Sequence, residues 1–237
     1  MSFAETLAAK GQEAGLSFSN KQLEQFATYC TLLLETNKVM NLTAIEDPDE
    51  VAVKHMIDSL LVYKKTVFAG QYLADVGTGA GFPGLPLKIY EPSLKVVLVD
   101  SLAKRLDFLQ KVIDTLGLKD IECVHARAED VGQNPRFREK FPLVIARAVA
   151  NLPVLAEYCL PLVTVGGTFF ALKGAKYQEE VAASGNALKL LGGRLLESRE
   201  VKLPGLTDKR AIITIRKEKA TPAKYPRKAG MVNKKPL

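Results

Sequence analysis

Cysteine is scarce in this chain. There are three, Cys30, Cys123 and Cys159, and no two stand in C-x-x-C spacing. That argues against a disulfide framework or a thiolate zinc site and for a reducing compartment. Histidine is scarcer, with only His55 and His125, too few for a His-rich metal site. No metal is expected. The N-terminus lacks a basic-then-apolar signal pattern, and no apolar run reaches the length of a membrane span. No internal repeat is present. A cytoplasmic protein with no membrane partner is expected, with the monomer as its working state. Aromatics are only 7% of residues, yet hydrophobic residues are 47% of 237. That suffices for one α/β domain with a full core and an appendage.

Net charge is absent from the bulk of the chain and concentrated at its end. Arg216 to Leu237 holds eight Lys/Arg against one acid, Glu218, and the remainder carries 25 of each sign. The whole net charge of +7 therefore belongs to the tail. With Pro222, Pro226, Pro236 and dispersed charge, this tail is expected to have no fixed structure alone.

Residues 1 to about 64 read as helical. Ser19-x-x-Gln22 is a capping box, opening a stretch with Leu23, Phe26, Ala27, Cys30, Leu33 and Leu34 at helical spacing. Asp47-Pro48-Asp49-Glu50 is a second start signal. His55, Asp58 and Ser59 in the following helix read as a polar surface cluster. From Gln71 strands and helices alternate, the signature of a parallel sheet. Strands are expected at 72–76, 95–99, 121–125, 142–146 and 168–172. Helices fill the gaps at about 84–90, 102–117 (Ser101 as cap), 153–162 and 176–191. Strands at 194–201 and 210–216 are placed to pair antiparallel. The fold class is α/β, a Rossmann-like sheet (65–216) with an N-terminal helical region (1–64) and a basic tail (217–237).

The chain turns on Asp75-Val-Gly77-Thr-Gly79-Ala-Gly81-Phe82-Pro83-Gly84. Glycine lets the backbone turn sharply and a ligand approach it. Gly79, Gly81 and Gly84 formally match the dinucleotide fingerprint G-x-G-x-x-G. Here, however, the run starts earlier, at Gly77, with Asp75 ahead of it, the pattern of S-adenosylmethionine (SAM) methyltransferases. An acid beside the loop suits the ammonium group of an amino acid and repels a pyrophosphate. Ligands of open α/β sheets bind at the carboxyl ends of the strands. Strand two ends in Asp100, placed to accept both ribose hydroxyls, or else to cap the next helix with Ser101. After strand three, the Ala128 amide and Glu129 carboxylate are placed to read an adenine edge, or else lie in a solvated loop. Strand four ends Arg147-Ala148-Val149-Ala150-Asn151 and strand five Leu172-Lys173-Gly174.

These pieces resemble the RsmG (GidB) family of bacterial small-subunit rRNA methyltransferases. The likeness rests on Asn37…Asn41-Leu42-Thr43, the helix with His55 and Asp58-Ser59, the Asp75…Gly84 loop, Ala126-Arg-Ala-Glu129, Arg147-Ala148 and Pro226-Arg-Lys-Ala-Gly…Asn233-Lys-Lys-Pro236. It implies a class I SAM-dependent fold. It also implies methylation of a guanine N7 in 16S rRNA, in the loop around position 527 (rRNA numbering), free or in a small-subunit precursor. Gly77, Phe82, Ala128, Glu129 and Arg147 are then cofactor residues, with Gly79 and Asp100 added from the loop reading. Arg127 and Arg147 are the candidate catalytic groups. Arg127, Lys173 and Arg210 are candidates for the RNA side, with Lys224, Arg227, Lys228, Lys234 and Lys235 of the tail meeting phosphates and Tyr225 stacking on a base. The tail is expected to do this without touching the cofactor.

The target atom that the resemblance implies agrees with what is missing. No Asn/Asp-Pro-Pro-aromatic motif for exocyclic amines follows strand four, and Cys123 and Cys159 read as core rather than as nucleophiles. Guanine N7 needs neither, since its lone pair is free. A non-catalytic SAM-binding protein with a nucleic-acid tail is the alternative. An NAD-dependent dehydrogenase is disfavoured by Asp75 and by the lack of a Tyr-x-x-x-Lys pair.

Overall fold

Short apolar segments with no polar face pair in parallel at the centre of a sheet. In the computed structural model, which covers residues 1–237, these are β1 (Tyr72–Val76), β2 (Lys95–Asp100) and β4 (Phe141–Arg147), with the less buried β3 (Ile121–His125) at one edge. β5 (Val163–Lys173) continues the parallel set. β7 (Arg210–Lys217) runs antiparallel between β5 and β6 (Gly193–Val201). The order is β3-β2-β1-β4-β5-β7-β6. The chain reverses direction across the sheet between β1 and β4, which makes their carboxyl ends the switch point where ligands bind.

Successive strand residues point to opposite faces, and two cores result. Leu73, Leu98 and Ile145 join a cluster with α1 (Phe3–Glu13), α2 (Asn20–Met40), α6 (Gly84–Tyr90) and α7 (Ala103–Leu116). Ala74, Val97 and Val144 join the other, with α9 (Leu152–Cys159) and α11 (Gly185–Leu191). The capping box at Ser19 and the Asp47 cap are both formed. After α3 (Pro48–Val51) the helix widens into a π-helical stretch, Ala52–Ile57, before α4 (Asp58–Leu60). π-turns of this kind recur at functional sites. A short α5 (Lys65–Phe68) leads into β1.

Several expectations are corrected. The expected helix 176–191 is two, α10 (Tyr177–Ala183) and α11, broken at Ser184, whose hydroxyl donates back to the Val181 carbonyl. Residues after β3 form α8 (Ala128–Gln133), not a loop. Ser101 caps nothing; Asp100 takes the Leu102 amide instead. Asp58 and Ser59 are buried, not on a helix surface. The tail is packed on the domain: Tyr225 and Val232 belong to the second core, and α12 (Met231–Lys234) follows. Tyr225 is thus withdrawn from stacking on a base.

The glycine loop is held from beneath. Asp75 is fully buried, and its Oδ2 accepts from the Thr78 hydroxyl at 2.7 Å and the Gly84 amide at 2.8 Å. A Cβ on Gly84 would lie 2.5 Å from Leu98 Cδ2 and 2.8 Å from Asp75 Oδ2. Gly84→Ala is therefore expected to destabilise the fold by about 1–3 kcal/mol, moving the thermal midpoint by about 2–4 °C per kcal/mol. A melting curve superposable on that of the parent would refute this packing.

Candidate active site

The ends of β1, β2, β3 and β4 frame a groove of about 390 Å³. Val76, Val99, Ala126, Ala128 and Val149 give it apolar walls, and Asp100 and Glu129 supply two buried carboxylates. Gly77 lines it in the left-handed region at φ 70. A Cβ there would sit 2.6 Å from Val149 Cγ2, so only glycine lets the loop after β4 close on the turn. Gly79, at φ 60, donates its amide to Asp100 Oδ2 at 2.9 Å. Asp100 Oδ1 accepts the Leu102 amide at 2.9 Å, and Arg105 stands 3.5 Å from Oδ2. A carboxylate accepts about four bonds, so Asp100 anchors the turn and keeps acceptor capacity for a ligand. Glu129 lies in the first turn of α8. Apolar walls between two carboxylates fit an adenosyl group, whose flat ring wants burial and whose hydroxyls and amine want acceptors.

Ala148 and Val149 border this groove and also a second cavity of about 600 Å³. Ala148 makes the partition in the left-handed region at φ 56. The second cavity is lined by Lys54, His55, Asp58, Arg147, Lys173 and Arg210, among others. Arg147 Nη1 donates to Asp58 Oδ2 at 2.8 Å and to the Lys54 carbonyl at 3.1 Å. Its Nη2 meets His55 Nδ1 at 3.2 Å, and its guanidinium lies 5.0 Å from the centre of the Phe82 ring. Arg210 Nε is 3.5 Å from the other Asp58 oxygen. Because Arg147 can only donate, His55 Nδ1 is the acceptor, and the ring proton sits on Nε2, 2.7 Å from Thr43 Oγ1. Asn37 Oδ1 in turn accepts the Thr43 amide. Burial, with the Arg147 charge second, pushes His55 down to about 3. The ring is neutral near neutral pH.

The sequence candidates divide between the two spaces. Gly77, Asp100, Arg127, Ala128 and Glu129 line the groove. Arg147, Lys173 and Arg210 line the second cavity. Arg147, expected at the cofactor, is paired with Asp58 and lines the second cavity. Phe82 does not line the groove either: its ring is stacked between His55, at 4.4 Å, and Tyr29, at 5.4 Å. Asp75, expected to face an ammonium group, lies inside the loop and lines neither space. Burial raises it to about 6. Lys173 is paired with Glu180 at 2.7 Å. In the tail, Arg227 is committed to Glu157 at 2.6 Å rather than free for phosphates, and Lys224, Lys228, Lys234 and Lys235 are exposed. Sequence reasoning missed Val149, Tyr158, Gly230 and Asn233 in the groove. The last two bring the tail, expected to leave the cofactor untouched, to the wall of the groove. Only the tail stretch around Asn233 had stood out, and nothing local placed it there.

A family model described as GidB, rRNA small subunit methyltransferase G, matches residues 22–211. A protein of Pelotomaculum thermopropionicum named ribosomal RNA small subunit methyltransferase G is 52% identical over 235 residues, covering 99% of this chain and 98% of its own. A protein of the same name from Lactobacillus delbrueckii subsp. bulgaricus is 50% identical over 238 residues, with the same coverage. Among solved structures, a SAM-dependent methyltransferase from Aquifex aeolicus shares the fold at 17% identity and TM-score 0.55, covering 74% of this chain and 96% of its own.

Asp100→Ala is expected to weaken binding of S-adenosylhomocysteine at least tenfold, since charge-assisted bonds lost from a dry site are worth about 1.5–3 kcal/mol. Calorimetric titration returning the parent affinity would remove Asp100 from the site.

Proposed function

The chain belongs to the rRNA small subunit methyltransferase G family, and from that premise we propose that it methylates N7 of a guanine in 16S rRNA, in the loop around position 527 (rRNA numbering). The observation that carries this reading is the pair of spaces meeting at Val149, one shaped for an adenosyl group and one walled by cations. SAM, when bound, supplies an electrophilic methyl group. Asp100 and Glu129 accept the hydrogens of its ribose and adenine, and Gly77 and Gly79 leave room for its chain. The second cavity takes the guanine nucleotide, with Arg210 and Lys173 on its wall and Arg127 at the neighbouring groove to meet RNA phosphates. Arg147 is fixed by Asp58 and shapes the floor of the guanine side. Small-subunit rRNA, free or in a precursor particle, is the partner.

The protein's groups match a nucleophile that loses no proton before attack. His55 is held neutral and has both ring nitrogens engaged. His125 is exposed against the Ser101 carbonyl, outside both spaces. Burial pushes the Cys30 thiol up to about 12 and Cys123 to about 11, so neither offers a thiolate. What the chain contributes is alignment, with N7 and the methyl carbon about 3–3.5 Å apart.

Unmodified small-subunit rRNA treated with the protein and SAM should gain one site of strand cleavage by borohydride and aniline, a reaction of the N7-methyl base. The rate should stay nearly flat from about pH 6 to 8, because attack by N7 loses no proton and needs no base. A product resistant to cleavage, or a rate rising tenfold per pH unit in this range, would exclude N7.

A further inference from the structure

The C-terminal segment is clamped before it reaches the groove. Glu157 of α9, wholly buried, accepts the Arg227 amide at 2.8 Å, its Nε at 2.9 Å and its Nη2 at 2.6 Å. Arg138 donates to the carbonyls of Thr221 and Tyr225, both at 2.7 Å, and Gln133 to that of Pro226 at 2.9 Å. Pro226 packs where Gly132 has no side chain; a Cβ there would lie 2.7 Å from Pro226 Cγ. Beyond this clamp Gly230 turns at φ 82, and Val232 enters the core with no exposure. Burying Val232 fixes the rotation of α12. It brings Asn233, with Gly230, to the edge of the groove beside Glu129 and Tyr158.

We propose that the C-terminal segment completes the cofactor site, with the Asn233 side chain binding the adenine end of the adenosyl group. The inference rests on the reading of the groove as the SAM site. An amide both donates and accepts, and so complements an adenine edge, which presents an amine beside ring nitrogens. Glu129 only accepts when ionised. Asn233 therefore supplies the donor that the acid lacks. Its side chain is exposed and has no place in the core, so its removal leaves the packing intact. No cofactor-binding role follows for the other exposed residues of the segment, among them Lys228, Lys234 and Lys235.

The test is calorimetric titration of S-adenosylhomocysteine into the full chain, into Asn233→Ala, and into a chain ending at Ala229. Thermal midpoints are recorded for all three. Affinity should fall at least fivefold in Asn233→Ala at an unchanged midpoint, and at least tenfold in the shortened chain. Asn233→Gln, which keeps the amide, should recover part of the loss. Parent affinity in Asn233→Ala would overturn the proposal, whatever the shortened chain does, and would leave the groove reading standing. Absence of binding by the full chain would sink the groove reading and the proposal with it.

Discussion

The buried pairing of Asp58 with Arg147 is the constraint on which the site depends. The two side chains keep 9% and 14% exposure, and they join the helical N-terminal layer to the end of β4. Removing one partner of such a pair costs about 3–5 kcal/mol, because the other is left charged and dry. Around it stack Phe82 and His55, and Arg210 from β7 leans on the free side of Asp58. The pair holds Arg147 at the wall of the second cavity rather than of the groove. On the proposed reading it sets the boundary between cofactor and target, and it brings the N-terminal helices to the site.

The acids at the glycine turn do different work because they stand at different depths. Asp75 spends one oxygen inside the loop, and the other has no partner in the protein. Burial raises its pKa to about 6. It shapes the turn. Asp100, one strand over, grips the same turn through Gly79 and remains at the groove wall. Tyr29 of α2 closes the loop from the other side, its hydroxyl donating to the Ala80 carbonyl. Loop geometry is thus held by contacts within the protein from both sides.

Local signals made much of this legible in the sequence. Apolar runs gave the strands; glycine spacing and strand-end acids gave Gly77, Asp100 and Glu129. The RsmG likeness, carried by the loop and the flanking motifs, agrees with the family to which the chain belongs. What stayed hidden is long-range. Arg147 and Asp58 stand 89 residues apart, and Arg227 and Glu157 stand 70 apart. No window contains both partners of either pair. The tail looked solvated because its cations outnumber its apolar anchors; Tyr225 and Val232, two residues among many polar ones, decide that it packs. Phe82 shows the limit of a motif, which gives the residue but not the side to which its ring turns. Asp58 looked like a surface residue because its partners, Arg147 and Arg210, come from β4 and β7, not from its own helix.

The division of labour at Val149 is tested most directly by Asp58→Asn, which keeps the shape and removes the charge that holds Arg147. Turnover on unmodified small-subunit rRNA and the affinity for S-adenosylhomocysteine are measured on the same preparation. Turnover should fall by about tenfold or more, the range expected when a supporting contact misplaces a group near the chemistry. Cofactor affinity should stay within about twofold, a change of less than about 0.5 kcal/mol. A cofactor affinity that drops in step with turnover would place Arg147 in the cofactor groove and contradict the separation of the two spaces.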